Sequence, residues 1–277
     1  MRHILHSTYY LAAAGLLGLI TLPALAQEAG TDANESHQAG IAANTESPLP
    51  KSITALVDQG FTFHGSFEAP DGLQGYALSY DNEPMAAYIS SSSDYAVIGT
   101  LIDPQGNAVM ESQLQALVLE PMLEAAWSAF ENTRFISEGN DDASHIVYTL
   151  TDPNCPYCHK FYEIARPWVE AGKVQLRHIP VGILKPSSAG KAAAILGAED
   201  PSAALAQHEN NYTSGGITPL EDMTPALRQQ VAANNMLMSS LGIQGTPGLV
   251  YRDDDGEIGI KQGVPQGKLR KDIMGAK

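Results

Sequence analysis

The chain has 277 residues and a formal charge of −15, from 16 Lys and Arg against 31 Asp and Glu; that balance excludes a nucleic-acid binder, which needs clustered cations to meet phosphates. Two cysteines exclude both a disulfide-dense scaffold and a four-cysteine zinc finger. A hydrophobic content of 44% with 17% charged residues is that of a folded protein, long enough for about two domains.

Residues 1–26 read as a secretory signal peptide. Arg2 carries their one formal charge, residues 11–20 are an unbroken apolar run, and Pro23 precedes Ala24-Leu25-Ala26, a small-x-small cleavage pattern. The apolar run is too short for a membrane span, which needs about 20 such residues. Export would carry the cysteines into an oxidising compartment. Residues 27–47 are polar, lack aromatics and read as a flexible leader with no core of its own.

A short helical signal at 53–57 precedes a series of strand signals. Phe61, Phe63 and Phe67 alternate with Thr62, His64 and Ser66, which places the three rings on one face. Turn clusters at 69–72, 81–84, 90–94 and 103–107 separate strands at 75–80, 85–89 and 95–102. Short strands joined by tight turns predict an antiparallel meander over 48–110. Over 113–130 the period becomes helical, with Leu114, Leu117 and Val118 before Pro121 and Leu123, Ala126, Trp127 and Phe130 after it. Pro121 should kink or restart this helix, which is either a core helix or a connector between two domains.

Residues 137–143 form a polar break. A strand follows at 145–150, then a helix from about 155 to 170 whose stripe is Phe161, Ile164, Ala165 and Trp168. Gly172 fits its stop, and a second strand spans 174–179. Strand, helix and strand predict a parallel βαβ unit. Residues 185–241 are mainly helical, with candidates at 191–196, 202–208 and 225–241 and a loop at 212–219. Strands at 249–251 and 258–260 flank Asp253-Asp254-Asp255-Gly256 as a hairpin, and 268–274 is a closing helix. The fold class is α+β.

Both cysteines fall in one motif, Asp152-Pro153-Asn154-Cys155-Pro156-Tyr157-Cys158, between a strand and an amphipathic helix. Asn154 is the expected N-cap, and Pro156 is tolerated in the first turn, where its missing donor has no intrahelical acceptor. Cys155 then sits at the positive end of the helix, where dipole and free backbone donors favour a thiolate. Asp152 and Glu163 would act in the opposite sense. Cys158 lies one turn on, near enough to resolve a mixed disulfide formed at Cys155, so electrons pass by thiol–disulfide exchange. A structural disulfide would close a loop of two residues and constrain little. A zinc site would need two more ligands, no paired histidine spacing supplies them, and no metal or cofactor is expected. Inert buried thiols fit poorly with export. A second element, Gly245-Thr246-Pro247-Gly248, precedes the strand at 249–251. Its X-Pro bond can be cis at low cost, and opposite the cysteines Thr246 would offer backbone groups to a bound peptide.

With these two elements, the sequence resembles the thioredoxin-fold Dsb proteins of the bacterial periplasm, in the DsbC/DsbG family. The resemblance runs over nearly the whole chain after the signal peptide. It is carried by Asp152–Cys158, Ala165-Arg166-Pro167-Trp168-Val169, Gly172-Lys173-Val174-Gln175-Leu176-Arg177, Val181-Gly182-Ile183-Leu184-Lys185-Pro186 and Ala192-Ala193-Ala194-Ile195-Leu196. Nearer the N-terminus it is carried by Leu49-Pro50, Phe67-Glu68-Ala69-Pro70 and Gly75-Tyr76.

The resemblance implies a dimerisation domain over 48–110, a linker helix over 111–136 and a thioredoxin-like catalytic domain with a helical insertion over 137–277. It implies a V-shaped homodimer in the periplasm, kept reduced by a membrane-bound Dsb reductase. The implied activity is isomerisation of wrong disulfides, reduction of cysteine sulfenic acids in exported proteins, or both. Cys155 matches the attacking cysteine, Cys158 the resolving one and Pro247 the cis-proline, while Pro156, Tyr157 and Thr246 would tune the pair and touch substrate. The stretch 242–247 is nearer DsbC than DsbG, a departure that bears on substrate preference. A holdase-type chaperone with incidental thiols and a net dithiol oxidase are the competing readings; the oxidase would leave 48–110 unexplained.

Overall fold

The computed structural model describes residues 48–275, so the signal peptide and leader expected over 1–47 lie outside the described residues. Helix α1 (Lys51–Asp58) precedes four antiparallel strands in spatial order: β1 (Thr62–Glu68), β2 (Leu73–Tyr80), β3 (Glu83–Ser90) and β4 (Ala96–Ile98). Asp81 and Asn82 both adopt positive φ, 50° and 65°, the left-handed pair that a two-residue hairpin turn requires. One face of this sheet packs Tyr76, Leu78, Ala87 and Ile89 against Ile53 of α1. The other packs Ala77, Ala86 and Tyr88 against Val118.

The three phenylalanines do not share a face. The β1–β2 register slips between Phe63 and Gly65, and one extra residue at a bulge turns every later side chain to the opposite side. Phe63 stays with the α1 cluster, while Phe67 joins Val118 on the far side. Gly75 lies opposite Phe67, and a Cβ there would stand 2.2 Å from its ring. The strand expected over 95–102 is likewise divided. Gly99 N–H bonds to Ala86 O, and the chain then leaves the sheet to form a hairpin of β5 (Leu101–Ile102) with β6 (Ala108–Val109). Asp103 Oδ1 accepts from the N–H groups of Gln105 and Asn107 and closes that turn.

Helix α2 (Glu111–Leu114) passes through a π turn (Gln115–Leu119) into α3 (Glu120–Glu131) with helical backbone throughout. Here the irregularity expected at Pro121 takes a specific form. A proline ring collides with the carbonyl four residues back; the wide turn, in which Glu120 N–H reaches Gln115 O, relieves that collision. The two ends of the helix pack on different sheets. Leu114, Leu117 and Val118 cover the first, and Trp127 and Phe130 are buried on the second.

That second sheet has the order β11-β10-β8-β9-β7: β7 (Ile136–Glu138), β8 (His145–Thr151), β9 (Val174–Pro180), β10 (Gly248–Arg252) and β11 (Ile258–Gln262). Strands β8 and β9 are parallel and joined by α4 (Pro156–Glu170), and the remaining pairs are antiparallel. Helices α4 and α8 (Gly267–Met274) cover one face through Phe161, Ala165, Trp168 and Ile273. Helix α3 and α7 (Pro225–Ser240) cover the other, where Trp127, Phe130 and Phe135 surround the buried Tyr148 ring at 5.1, 5.3 and 5.8 Å. Helices α5 (Ser188–Leu196), α6 (Pro201–Asn210) and α7 form an inserted subdomain around Ile195, Leu196, Leu205 and Val231.

Part of the expected polar break is an edge strand, because Glu138 has its partners inside the protein. Its carboxylate meets His178 Nε2 and Arg166 Nη2, each at 2.8 Å. Burial pushes its pKa up, but those two partners prevail and hold it at about 2. No helix among the described residues is long and apolar enough to cross a membrane.

The contact at Gly75 generates a stability test. Gly75→Ala should cost about 2 kcal/mol by overpacking, read as a lower denaturation midpoint, and Phe67→Leu in the same chain should restore part of it. A fully stable Gly75→Ala would show that the ring is free to move.

Candidate active site

Strand β8 ends at Thr151, and the next three residues turn the chain into α4. The helix begins with Pro156, so Cys155 is its N-cap, in extended conformation. Its Sγ accepts the Cys158 N–H at 3.3 Å. Asn154 is therefore not the cap, because its side chain is engaged in the opposite direction. It donates to Ser187 Oγ and Ser188 Oγ at 3.1 and 2.9 Å and accepts from Lys191 Nζ at 2.9 Å.

The peptide bond between Thr246 and Pro247 is cis. It brings Thr246 O to 3.3 Å from Cys155 Sγ, which donates to it when protonated. Gln262 Oε1 accepts the N–H groups of Gln244 and Gly245, each at 3.0 Å, and anchors this loop to β11. Gly263 N–H takes up the Pro247 carbonyl at 2.8 Å. Cys155, Cys158, Thr246 and Pro247 thus meet at one place, with Pro156 in the first turn of α4. Tyr157 lies between the two cysteines in sequence and is 63% exposed.

The two sulfurs differ sharply, although both residues are buried. Cys155 is drawn down to about 6. The hydrogen bond from the Cys158 side chain contributes most, against burial, followed by the Thr246 side chain and the backbone N–H groups of Cys158 and Tyr157. Cys158 is driven up, first by burial and then by the hydrogen bond and charge of Cys155, with Thr151 and Thr246 opposing. The Thr246 hydroxyl is buried and, among the described residues, has no hydrogen-bond partner besides these sulfurs. At neutral pH one sulfur is therefore an anion and the other keeps its proton. The helix end contributes, as its position suggests, but the second thiol contributes more.

Asp152 is 1% exposed and fully satisfied. Its Oδ1 accepts from Asn154 N–H and the Ser188 hydroxyl at 2.8 and 2.7 Å. Its Oδ2 accepts from the N–H groups of Ile183 and Leu184 at 2.8 and 2.9 Å. Glu163 instead faces the His159 ring at 3.7 Å. His159 bonds through Nδ1 to the buried Glu209 at 2.7 Å and stacks on Tyr212 at 4.3 Å. The Tyr212 hydroxyl is raised to about 12, by burial first and then by the charges of Cys155 and Cys158. Sequence reasoning missed Thr151, Ser188, Lys191, Glu209 and Tyr212. Each except Thr151 comes from the inserted subdomain, where nothing in the local pattern points to a sulfur. Among the described residues no cluster of His, Cys, Asp and Glu is arranged to hold a metal ion.

Residues 137–271 match the family model for a thioredoxin-like domain. The thiol:disulfide interchange protein DsbG of Pseudomonas aeruginosa is 42% identical over 237 residues, covering 86% of this chain and 92% of its own. The DsbG of Escherichia coli is 34% identical over 232 residues, covering 83% and 92%. Among solved structures, the catalytic domain of Proteus mirabilis ScsC is similar at 25% identity with a TM-score of 0.46, covering 56% of this chain and 96% of that one.

The sulfur asymmetry sets a pH dependence. Thiolate absorbance of the reduced protein should titrate with a midpoint of about 6 and vanish in Cys155→Ser. Because the folded value lies below the unfolded one, the Cys155 anion stabilises the fold at high pH. That stabilisation should be lost as pH falls from about 9 through 6, seen as a shrinking stability difference from Cys155→Ser. A midpoint near the ordinary thiol value would contradict this geometry.

Proposed function

The chain belongs to the DsbG family of thiol:disulfide interchange proteins and is a thiol-disulfide oxidoreductase, and from that premise we propose that it works reduced, as a disulfide isomerase and as a reductase of cysteine sulfenic acids. Cys155 is the attacking sulfur and Cys158 the resolving one. The Cys155 thiolate attacks one sulfur of a substrate disulfide, the substrate S–S bond breaks, and the second substrate sulfur leaves as a thiolate that takes up a proton. A different substrate cysteine can then attack the mixed disulfide, which releases Cys155 unchanged and leaves the substrate with a new pairing. Alternatively Cys158 gives up its proton and attacks Cys155. The internal disulfide forms, and two electrons pass to the substrate. On a sulfenic acid, Cys155 displaces the oxygen, which leaves as water after protonation, and Cys158 resolves the same kind of mixed disulfide.

The observation that carries this reading is the division between a buried sulfur held at about 6 and a second that keeps its proton beside it. The first is a nucleophile at neutral pH; the second stays inactive until the mixed disulfide removes the Cys155 charge that holds its proton in place. Tyr157 beside the sulfur in sequence is exposed, and the Thr246 carbonyl lies against the sulfur where substrate would have to replace that contact. A net oxidase is the second reading, since stabilising the thiolate also stabilises the reduced form and favours an oxidising couple. A holdase with incidental thiols would not need the asymmetry.

The rest of the proposal follows the family. Residues 48–110 are read as a dimerisation domain, 111–136 as a linker helix and 137–277 as the catalytic domain, in a periplasmic homodimer recharged by a membrane-bound Dsb reductase. The dimer is supported by β4, an edge strand whose Val97 is 68% exposed and which the 84% exposed Tyr95 immediately precedes. An edge with free backbone groups and apolar side chains is a template for a second copy.

Three measurements test this. Cys155→Ala should lower isomerisation of a scrambled substrate to the uncatalysed rate, while Cys158→Ser should accumulate mixed disulfides; a native rate in Cys155→Ala would refute the exchange mechanism. Thiol trapping in cells should find the pair mostly reduced, and a mostly oxidised pair would favour the oxidase. Light scattering should give twice the chain mass, and Val97→Lys should halve it.

A further inference from the structure

Beneath the turn that carries Cys155 lies a buried cation that the exchange steps above do not use. Lys191 stands on α5 of the inserted subdomain and is 9% exposed. Its ammonium donates to Asn154 Oδ1 at 2.9 Å and to Gly215 O at 2.6 Å. Both partners are neutral, and among the described residues no carboxylate lies within ion-pair distance of it. A buried ammonium is costly to desolvate, and neutral oxygens satisfy its donors without cancelling its charge. Its field therefore acts on whatever anion forms nearby.

We propose that Lys191 is a positioning residue for the redox pair: through Asn154 it fixes the turn before Cys155, and its charge stabilises the thiolate that forms one residue away. This rests on the reading of Cys155 as the attacking sulfur. The tie is part of a continuous chain. Lys191 donates to Asn154, Asn154 donates to Ser188 Oγ at 2.9 Å, and Ser188 donates to Asp152 Oδ1 at 2.7 Å. A buried cation and a buried anion are thus held apart by two neutral side chains, with residue 155 carried on the turn between them.

The surrounding groups are few enough to name. Asp152 faces the turn from the end of β8, Cys158 and His159 from α4, His208 and Glu209 from α6, and Tyr212 from the segment after it. His208 is 1% exposed, and its Nδ1 accepts Ile217 N–H at 3.0 Å. Burial and then the Lys191 charge lower it to about 4, so it adds no charge at neutral pH. Glu209 is occupied by His159 at 2.7 Å. Asp152 opposes Lys191 but is present in every variant below, so differences between variants report the lysine.

The test uses the chain from residue 27 onward, without the segment read from the sequence as a signal peptide. Lys191→Gln keeps two donors and loses the charge; Lys191→Met keeps the apolar stem and loses both. Cys155 is titrated by thiolate absorbance, and the equilibrium with glutathione is measured. Both variants should raise the Cys155 midpoint by about one unit and shift the equilibrium several-fold toward the oxidised protein, because the reduced form loses the stabilisation of its anion. A purely structural lysine would instead leave Lys191→Gln titrating like the native protein, which would overturn the proposal. Should the Lys191 variants fold poorly, Asn154→Leu leaves the charge and cuts the tie. It should also raise the midpoint, and an unchanged midpoint there overturns the positioning role. A native Cys155 that titrates as a free thiol sinks the proposed function together with this inference. A low native value that Lys191→Gln leaves in place sinks the inference alone.

Discussion

The site depends on one buried carboxylate. Asp152 receives four donors from three separate stretches of chain: the turn into α4, the residues after β9 and the start of α5. Four donors on two oxygens hold the anion where water does not reach, and so hold those three stretches together. Without that node the turn before Cys155 would have no fixed relation to the inserted subdomain, and Asn154 would be free to cap the helix itself.

Two consequences follow for the sulfurs. Because Asn154 is drawn down toward Ser188 and Lys191, the helix is capped by Cys155 Sγ, and the first turn's N–H groups point at the atom that becomes charged. Because Cys158 is buried one turn behind, its proton is retained and shared with that anion. The first sulfur is activated by the second, and the second is restrained by the first. A helix terminus alone would not separate them in this way, since its field acts on both.

The long helix of residues 111–131 plays a comparable role between the sheets. Its early turns are covered by Phe67 and Tyr88 and its last turns by Tyr148, Leu150 and Ile179. Arg252 reinforces the second contact, reaching Glu124 at 2.8 Å and lying over the Trp127 ring at 4.8 Å. The π turn before Pro121 lets this element stay helical while serving two cores.

Local chemistry was legible from the sequence alone. The CxxC at a strand-to-helix turn, Thr246-Pro247 before a strand, the meander, the βαβ unit and the helical insertion are all signalled by residues a few positions apart, where period, turn residues and proline chemistry act directly. Tertiary structure alone decided what long-range contact controls. The bulge that sends Phe67 to the other face is set by pairing across β1 and β2, and Glu138 became an edge-strand residue because His178 and Arg166 come to meet it from elsewhere. Asn154 lost the cap to Cys155, and Lys191 came to lie beneath the reactive turn, through hydrogen bonds spanning 33 to 37 residues. Charge and hydrogen bonding in a buried site are sums over neighbours in space, and a linear pattern does not record who those neighbours are.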